Sequence, residues 1–398
     1  MLLWRINAYY SLLFASCLRW SHVELKLVEV NSLDLVLAIK NAKRLLGRCE
    51  SLEDVDVVCD SNSIYLRISK ELNSLGIRFA AFSKAVLLCS KLIRRYMGSV
   101  VSHNDNYFAM LNSCLFTDGT FINVPCGTVC PVCLSTYFKI SLGCAGQFER
   151  TLVVVEGGSQ IAYFEGCNAA RLERVVLHAA VVELVVLYNS CLKYTTLQNW
   201  YVHGRLGVYN LVTKRALCCG AASRIVWVQI EIGSSATWKY PSSVLTGAGA
   251  HSEFYSLSVS ASVQQVDTGT KTYHLARGCD SVVVAKTVLF GCCSNTFRTL
   301  VGLNASGSRN HTRCDALVTS DACTSCSLPL VETTSFPATL EYESLSSYVT
   351  DHQLRYCEQR GIDGFSATRL VVSGYSREVT KHLPIAASLE VARLLFAN

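Results

Sequence analysis

The chain has 398 residues, half of them apolar and only 17% charged, with a formal net charge of +6 and twenty cysteines. A chain of this length and apolar content can build a large core without disulfide staples, so the cysteines read as free thiols in a reducing compartment. The positive charge is spread without a dense Lys/Arg block, which argues against a nucleic-acid partner, and no apolar run is long and uncharged enough to span a membrane.

Residues 1–97 read as a helical zone. Arg5 precedes the apolar stretch from Leu12 to Cys17, but Asn7, Tyr9 and Tyr10 interrupt the region and no small-x-small cleavage site follows. A packed N-terminal helix therefore fits better than a secretory signal. Leu33, Leu35, Val36, Ile39, Leu45 and Leu46 approximate a helical stripe, and a similar pattern with basic residues opposite runs from Phe79 to Tyr96. Across 98–349 the period changes. Short β-branched and aromatic runs, among them Thr151 to Val155, Ile225 to Ile232 and Ser281 to Leu289, are punctuated by Gly and Ser/Asn/Asp clusters. The run from Val175 to Tyr188, with His178 and Glu183 inside it, suits buried strands. No clear helical segment intervenes, which argues against a doubly wound α/β domain. A sandwich or barrel stays open, but about 230 residues of strand and turn are natural for a β-helix, whose coils bury their inner faces against each other. No strict hexapeptide or nonapeptide repeat is visible. Residues 350–398 return to helix: Thr350 or Asp351 can cap one segment, and Pro384 precedes a stripe of Ile385, Leu389, Val391, Leu394 and Leu395. Such a unit would cover a solenoid end or present a docking face.

Nearly continuous strings run through the core: Leu134-Ser-Thr-Tyr-Phe, Gly146-Gln-Phe-Glu-Arg-Thr, Glu165-Gly-Cys, Leu177-His-Ala-Ala-Val-Val-Glu, Gln198-Asn-Trp, Val212-Thr-Lys-Arg, Thr237-Trp-Lys-Tyr-Pro, Asp267-Thr-Gly-Thr-Lys and Cys314-Asp. In this order they resemble the SufB family of iron-sulfur cluster assembly scaffolds, and Gln359-Arg-Gly-Ile continues the match. The N-terminal zone joins it only through Trp4-Arg-Ile-Asn-Ala-Tyr. The resemblance implies a mainly β fold, a right-handed parallel β-helix core with N-terminal and C-terminal helical regions. It implies a partner SufD, the ATPase SufC docked on the C-terminal region, sulfur from SufS with SufE or SufU, and downstream cluster carriers. A transient iron-sulfur cluster would be the cargo and reduced flavin a candidate companion, in the cytoplasm or a plastid stroma. The chain has no Walker-type phosphate loop of its own, so ATP would act through a partner. It is expected to be a non-catalytic scaffold that binds neither nucleic acid nor membrane. A structural subunit like SufD, which shares the fold, is the alternative; Glu165-Gly-Cys and Gln198-Asn-Trp favour the SufB side.

Site residues follow from the same likeness. Cys314 matches the thiol regarded as the cluster ligand, and Arg309, His311 and Arg313 bring positive charge that favours a thiolate, although on a strand Arg313 and Asp315 would face away from it. Glu343, in Glu341-Tyr-Glu, matches the glutamate thought to act with that thiol; Tyr342 stands where the family has His, which loses a nitrogen ligand. Cys167 matches the persulfide acceptor, which needs an accessible thiolate, with Gly166 leaving room for a donor. The sulfur route implied inside the β-helix retains Gln198, Trp200 and Lys214, while Lys139 and Ser141 replace an Arg and an Asn. Without the family string, Cys314 would read as a buried apolar residue and Glu343 as a surface carboxylate. The pairs Cys130-Pro-Val-Cys133, with Cys126 before it, and Cys323-Thr-Ser-Cys326 lie too far apart in sequence for an ordinary four-cysteine zinc site. A carbohydrate-active β-helix would need paired acids, and none has convincing context.

Overall fold

The computed structural model describes residues 2–14, 55–59, 62–140, 146–169, 176–200 and 207–397. Two sheets of mostly parallel strands face each other. Sheet A stacks Val129–Ile140, Gln160–Ala169, Cys191–Trp200, Arg224–Ile232, His251–Ser260, Asp280–Leu289, Ser308–Val318 and Ala338–Tyr348, each parallel to the next. Sheet B alternates with it along the chain: Thr120–Val124, Gly146–Val155, Val176–Val186, Val208–Cys218, the interrupted pair Ala236–Lys239 and Ser242–Leu245, Gln265–His274, Ser294–Leu303 and Thr324–Thr333. The interruption falls at Tyr240 and Pro241, where proline has no N–H for a ladder. This is a parallel β-helix with helices at both chain ends. Equivalent positions recur about every 30 residues, the length of one coil.

Alternation along each strand decides what lies inside. In Val176–Val186 the even positions, including Val182, Leu184 and Val186, join the lumen core with Val153, Val155, Tyr163 and Tyr194. The odd positions Leu177, Ala179 and Val185 join a second core on the outer face of sheet B, covered by the helices Phe82–Leu88, Ser90–Tyr96 and Tyr107–Leu115. Both faces of the strand are buried, which is why its sequence is a valine run rather than an alternation. One carboxylate ties this layer together. Glu183 accepts from Arg150 Nε (3.0 Å) and Nη2 (2.6 Å) and from the backbone N–H groups of Gly98 (2.9 Å) and Val101 (3.0 Å), with both side chains fully buried. The helix Leu2–Phe14 lies against the same place: Trp4 packs on the Arg150 guanidinium, and Arg5 Nη2 donates to the Phe116 carbonyl at 2.7 Å.

Among its described residues the N-terminal zone is mixed rather than helical. Val55–Cys59 and Asn62–Arg67 form an antiparallel hairpin that extends sheet A beside Val129–Ile140, and Arg78–Ala81 lies antiparallel to Thr120–Val124 at the edge of sheet B. Val55, Val57 and Val58 supply β-branched content that suits the first strand of the hairpin. The stripe from Leu33 to Leu46 lies outside the described residues.

The C-terminal helices are Asp351–Glu358, capped by Thr350 in a capping box with Gln353, Gly364–Thr380, capped by Asp363, and Ile385–Ala397. The last two lie along the flank of the solenoid rather than over its end. Val372, Val379, Leu383, Ala387 and Val391 pack on the outward residues of sheet A, among them Val228, Ile230 and Leu257. Lys286 reinforces the contact, bonding Asp315 at 2.5 Å and Glu378 at 2.8 Å. The last coil, Thr324–Thr333 with Ala338–Tyr348, has no such cover, and Leu328, Leu330, Leu345 and Tyr348 are exposed. Among the described residues no helix is long and apolar enough to cross a membrane.

Candidate functional site

The lumen is not apolar throughout. Along sheet A the inward positions Cys167, Gln198, Glu231, Ser258, Thr287, Ala316 and Ser346 stand in register one above another. Beside them runs a second inward row: Glu165, Thr196, Gln229, Ser256, Ala285, Cys314 and Ser344. Sheet B answers with Gln147, His178, Asn210, Thr237, Val266, Asn295 and Ser325. A polar lane thus runs inside the coil from Cys167 to Cys314. Five strand spacings of ~4.8 Å separate the two, about 24 Å.

At the Cys167 end the polar groups are bonded to one another. Gln198 Nε2 lies 3.5 Å from Cys167 Sγ, and the Gln198 carbonyl accepts from Asn210 Nδ2 (2.7 Å) and Lys239 Nζ (3.3 Å). Lys239 is paired with Glu231, and Lys214 Nζ with Glu165 Oε1 at 3.0 Å. Burial opposes ionisation of Glu165, but the Lys214 ammonium and the Tyr194 hydroxyl outweigh it and hold the carboxyl below its ordinary range. Burial pulls the Lys239 ammonium down to about 8 against the attraction of Glu231. Cys167 itself is 2% exposed, and burial together with the Glu165 and Glu149 carboxylates pushes its thiol well above the usual range. The thiol expected to be accessible is therefore buried: parity turns Cys167 into the lumen, and Gly166, the outward neighbour, sits under the Tyr137 ring, which a Cβ there would meet at 2.8 Å.

At the other end Cys314 borders a cavity of about 20 Å³, room for roughly one water, lined also by Thr287, Asn295, Ser327 and Ser344. Burial raises its thiol to about 11, opposed by hydrogen bonds with Tyr342 and Ser327, whose hydroxyls lie 2.7 Å apart. Arg309, His311 and Arg313 occupy the outer face of the strand, where His311 meets Glu341 and Arg313 meets Asp315, so they do not act on the thiol as expected. Glu343 is exposed and pairs in register with Arg313, whereas Cys314 pairs with Ser344. The structure places the expected ligand pair on opposite faces of the sheet.

The route residues divide in the same way. Gln198, Trp200 and Lys214 line the lumen, with the Trp200 ring 4.8 Å from that of His178. Lys139 does not: Phe138 and Ile140 are the inward residues of its strand, and Lys139 pairs with exposed Asn168 on the outside. Ser141 lies outside the described residues. The described cysteines are free thiols, with Cys126, Cys130, Cys133, Cys323 and Cys326 among them. Sequence reasoning assigned no role to Glu149, His178, Glu165, Asn210, Glu231 and Lys239. Their signal was a polar residue at every second position of otherwise apolar strands.

The fold and this interior define a class: a parallel β-helix that encloses a lane of polar side chains within the coil. Residues 138–375 match the family model described as "SUF system FeS cluster assembly, SufBD core domain". The chain belongs to the SufBD family. It is 44% identical over 346 residues to the iron-sulfur cluster assembly SufBD family protein ycf24 of Trieres chinensis, covering 86% of this chain and 71% of that one. Against slr0074, the SufBD family protein of Synechocystis sp., identity is 42% over 346 residues, 86% and 72% of the two chains. The iron-sulfur cluster assembly protein SufB of Plasmodium falciparum is 34% identical over 342 residues, 85% and 73% of the two chains.

Proposed function

We propose that the chain is a scaffold on which iron-sulfur clusters are built, with sulfur taken up at Cys167, moved along the interior lane and joined to iron at Cys314. The lane carries this reading: polar side chains join two cysteines that the family strings single out, through a core that is otherwise apolar. Uptake is persulfide exchange. The Cys167 thiol gives its proton to a base, for which Glu165 Oε1 at 3.9 Å is placed, and the thiolate attacks the outer sulfur of a donor persulfide. The new S–S bond forms as the donor's breaks, and the donor leaves as a thiolate. Lys214 and Lys239 supply positive charge beside the anionic persulfide, and the Gln229 amide nitrogen, buried without a partner on the same inward row, is a spare donor further along. Cys314 then provides the cluster thiolate. Glu343 provides a carboxylate from the rim once the last coil rearranges.

In this reading SufD docks on the uncovered last coil, SufC docks on residues 350–383, and SufS with SufE or SufU delivers sulfur. Turnover belongs to these partners, with reduced flavin as a source of electrons, downstream carriers as recipients, and the cytoplasm or a plastid stroma as the setting. The test is anaerobic reconstitution of Cys314→Ala in complex with its partners. Persulfide should accumulate on Cys167 while iron and sulfide are lost and the complex stays assembled; full iron and sulfide content with the wild-type visible spectrum would refute the assignment.

A further inference from the structure

We infer that Glu149, Cys167 and His178 form a mononuclear site for a divalent transition-metal ion inside the β-helix, separate from Cys314. Three successive strands, Gly146–Val155, Gln160–Ala169 and Val176–Val186, each contribute one donor. The carboxylate oxygen, thiol sulfur and imidazole nitrogen lie within 4.8 Å of one another and all three residues are buried. Among the described residues no other three such donors converge in this way.

The hydrogen bonds around His178 give the first argument. Asn210 donates its amide N–H to Gln198 Oε1 at 2.7 Å, which turns Asn210 Oδ1 towards His178 Nδ1, 2.8 Å away. An oxygen acceptor there requires the proton on Nδ1, the arrangement that orients a metal-binding imidazole. Nε2 then faces Glu149 Oε1 across 2.8 Å. Two lone pairs at that distance repel, so a positive centre belongs between them, either a second proton or a metal ion in its place.

Charge gives the second. Glu165 is matched by Lys214 and Glu231 by Lys239, but among the described residues the Glu149 carboxylate faces only the Gln147 amide and His178. An isolated buried carboxylate is costly. A dication held by the Glu149 carboxylate, a Cys167 thiolate and a neutral His178 is electrically balanced, and binding it displaces the Cys167 proton. The third argument is a spare acceptor. Gln147 Nε2 holds Glu149 Oε2, while Gln147 Oε1 is buried without a partner, available to a water in the fourth coordination position.

Mixed sulfur, nitrogen and oxygen donors suit ferrous iron, cobalt or zinc rather than magnesium or calcium. Metal–nitrogen and metal–oxygen bonds near 2.1 Å and a metal–sulfur bond near 2.3 Å set tetrahedral edges of about 3.4–3.6 Å, so His178 and Glu149 separate slightly and Cys167 closes in. The site is fixed by these side chains alone and does not depend on the scaffold reading.

The experiment uses the full chain, chelator-treated, reduced and anaerobic, titrated with Co²⁺. The expected result is one ion bound with tetrahedral ligand-field bands, a sulfur-to-cobalt charge-transfer band and release of about two protons per ion, one from Cys167 and one from between His178 and Glu149. Cys167→Ser should lose the charge-transfer band, Glu149→Gln and His178→Gln should bind at least ~10–100-fold more weakly, and Cys314→Ala should bind normally. X-ray absorption at the cobalt edge of the wild-type protein reads the same site without any variant having to fold: one sulfur with imidazole scattering is expected. A sulfur-free octahedral ion, a shell of several sulfurs, or undiminished binding in Cys167→Ser and His178→Gln would overturn the inference. Normal cobalt binding by Cys314→Ala, whatever its cluster content, keeps this test apart from that of the scaffold.

Discussion

Replacing Lys214 by methionine keeps most of the side-chain volume and removes one charge from the lumen. Its partner Glu165 lies 3.0 Å away, and the two side chains are 1% and 2% exposed. Breaking a buried pair by deleting one partner costs about 3–5 kcal/mol, because the remaining charge keeps its desolvation penalty. The loss has a pH signature. In the wild type Glu165 is held below its ordinary range, so its contribution is present above the unfolded carboxylate pKa and is lost as pH falls through the folded value. Without Lys214 burial dominates and the folded carboxyl rises above its unfolded value. The variant's deficit is then largest where Glu165 must stay ionised and shrinks once the folded carboxyl takes up a proton. Urea midpoints followed by tryptophan fluorescence at about pH 7.5 and about pH 5 should show the wild-type and variant curves converging at the lower pH. Adding Glu165→Gln to the variant should restore part of the loss, since the two residues form one unit. A gap that is the same at both pH values, or a double variant carrying two full independent losses, would refute the reasoning.

The fully buried Glu183 is the hub for Arg150 and for the backbone at Gly98 and Val101, so Glu183→Gln should cost about 3–5 kcal/mol. Faster amide hydrogen exchange across residues 98–101 would locate the damage, and unchanged protection there would count against it. Two glycines should respond in opposite senses. A Cβ at Gly269 would stand 1.7 Å from the Arg298 carbonyl oxygen, so Gly269→Ala should destabilise by at least ~1–3 kcal/mol. Gly374 lies within the helix Gly364–Thr380 with nothing near its missing Cβ, so Gly374→Ala should stabilise by about 0.5–1 kcal/mol. Thermal midpoints of the two variants measure both signs.

The β-helix was legible because strand after strand appears without a helical period, and the C-terminal helices because Thr350, Gln353 and Pro384 punctuate them. The coil length was not. Cys167, Gln198, Glu231, Ser258 and Thr287 occupy one stacked column, yet they share only polarity, and a repeat of polarity at unequal spacing leaves no motif. Placement in the lumen was legible where alternation within one strand sufficed, as for Gln198 and Trp200, which share an inward face. Counting from Phe138 and Ile140 would have turned Lys139 outward. Glu343 needed more, because its separation from Cys314 is a matter of register between two strands, and register is set by the turns and by packing. Burial of Cys167 followed from the same parity that brings Glu165 and Lys214 beside it.

The two ends of the solenoid differ, and the difference bears on how one such coil could stack on another. At the first coil, among the described residues, the sheets finish in short antiparallel pieces, Asn62–Arg67 and Arg78–Ala81, which present a mismatched edge to any incoming parallel coil. The last coil presents Thr324–Thr333 and Ala338–Tyr348 bare, their outer backbone groups still unladdered. Head-to-tail stacking, the route by which a repeating rod becomes a fibre, is blocked at one end, while bare end can meet bare end. Such a meeting consumes both open edges at once and leaves nothing to extend.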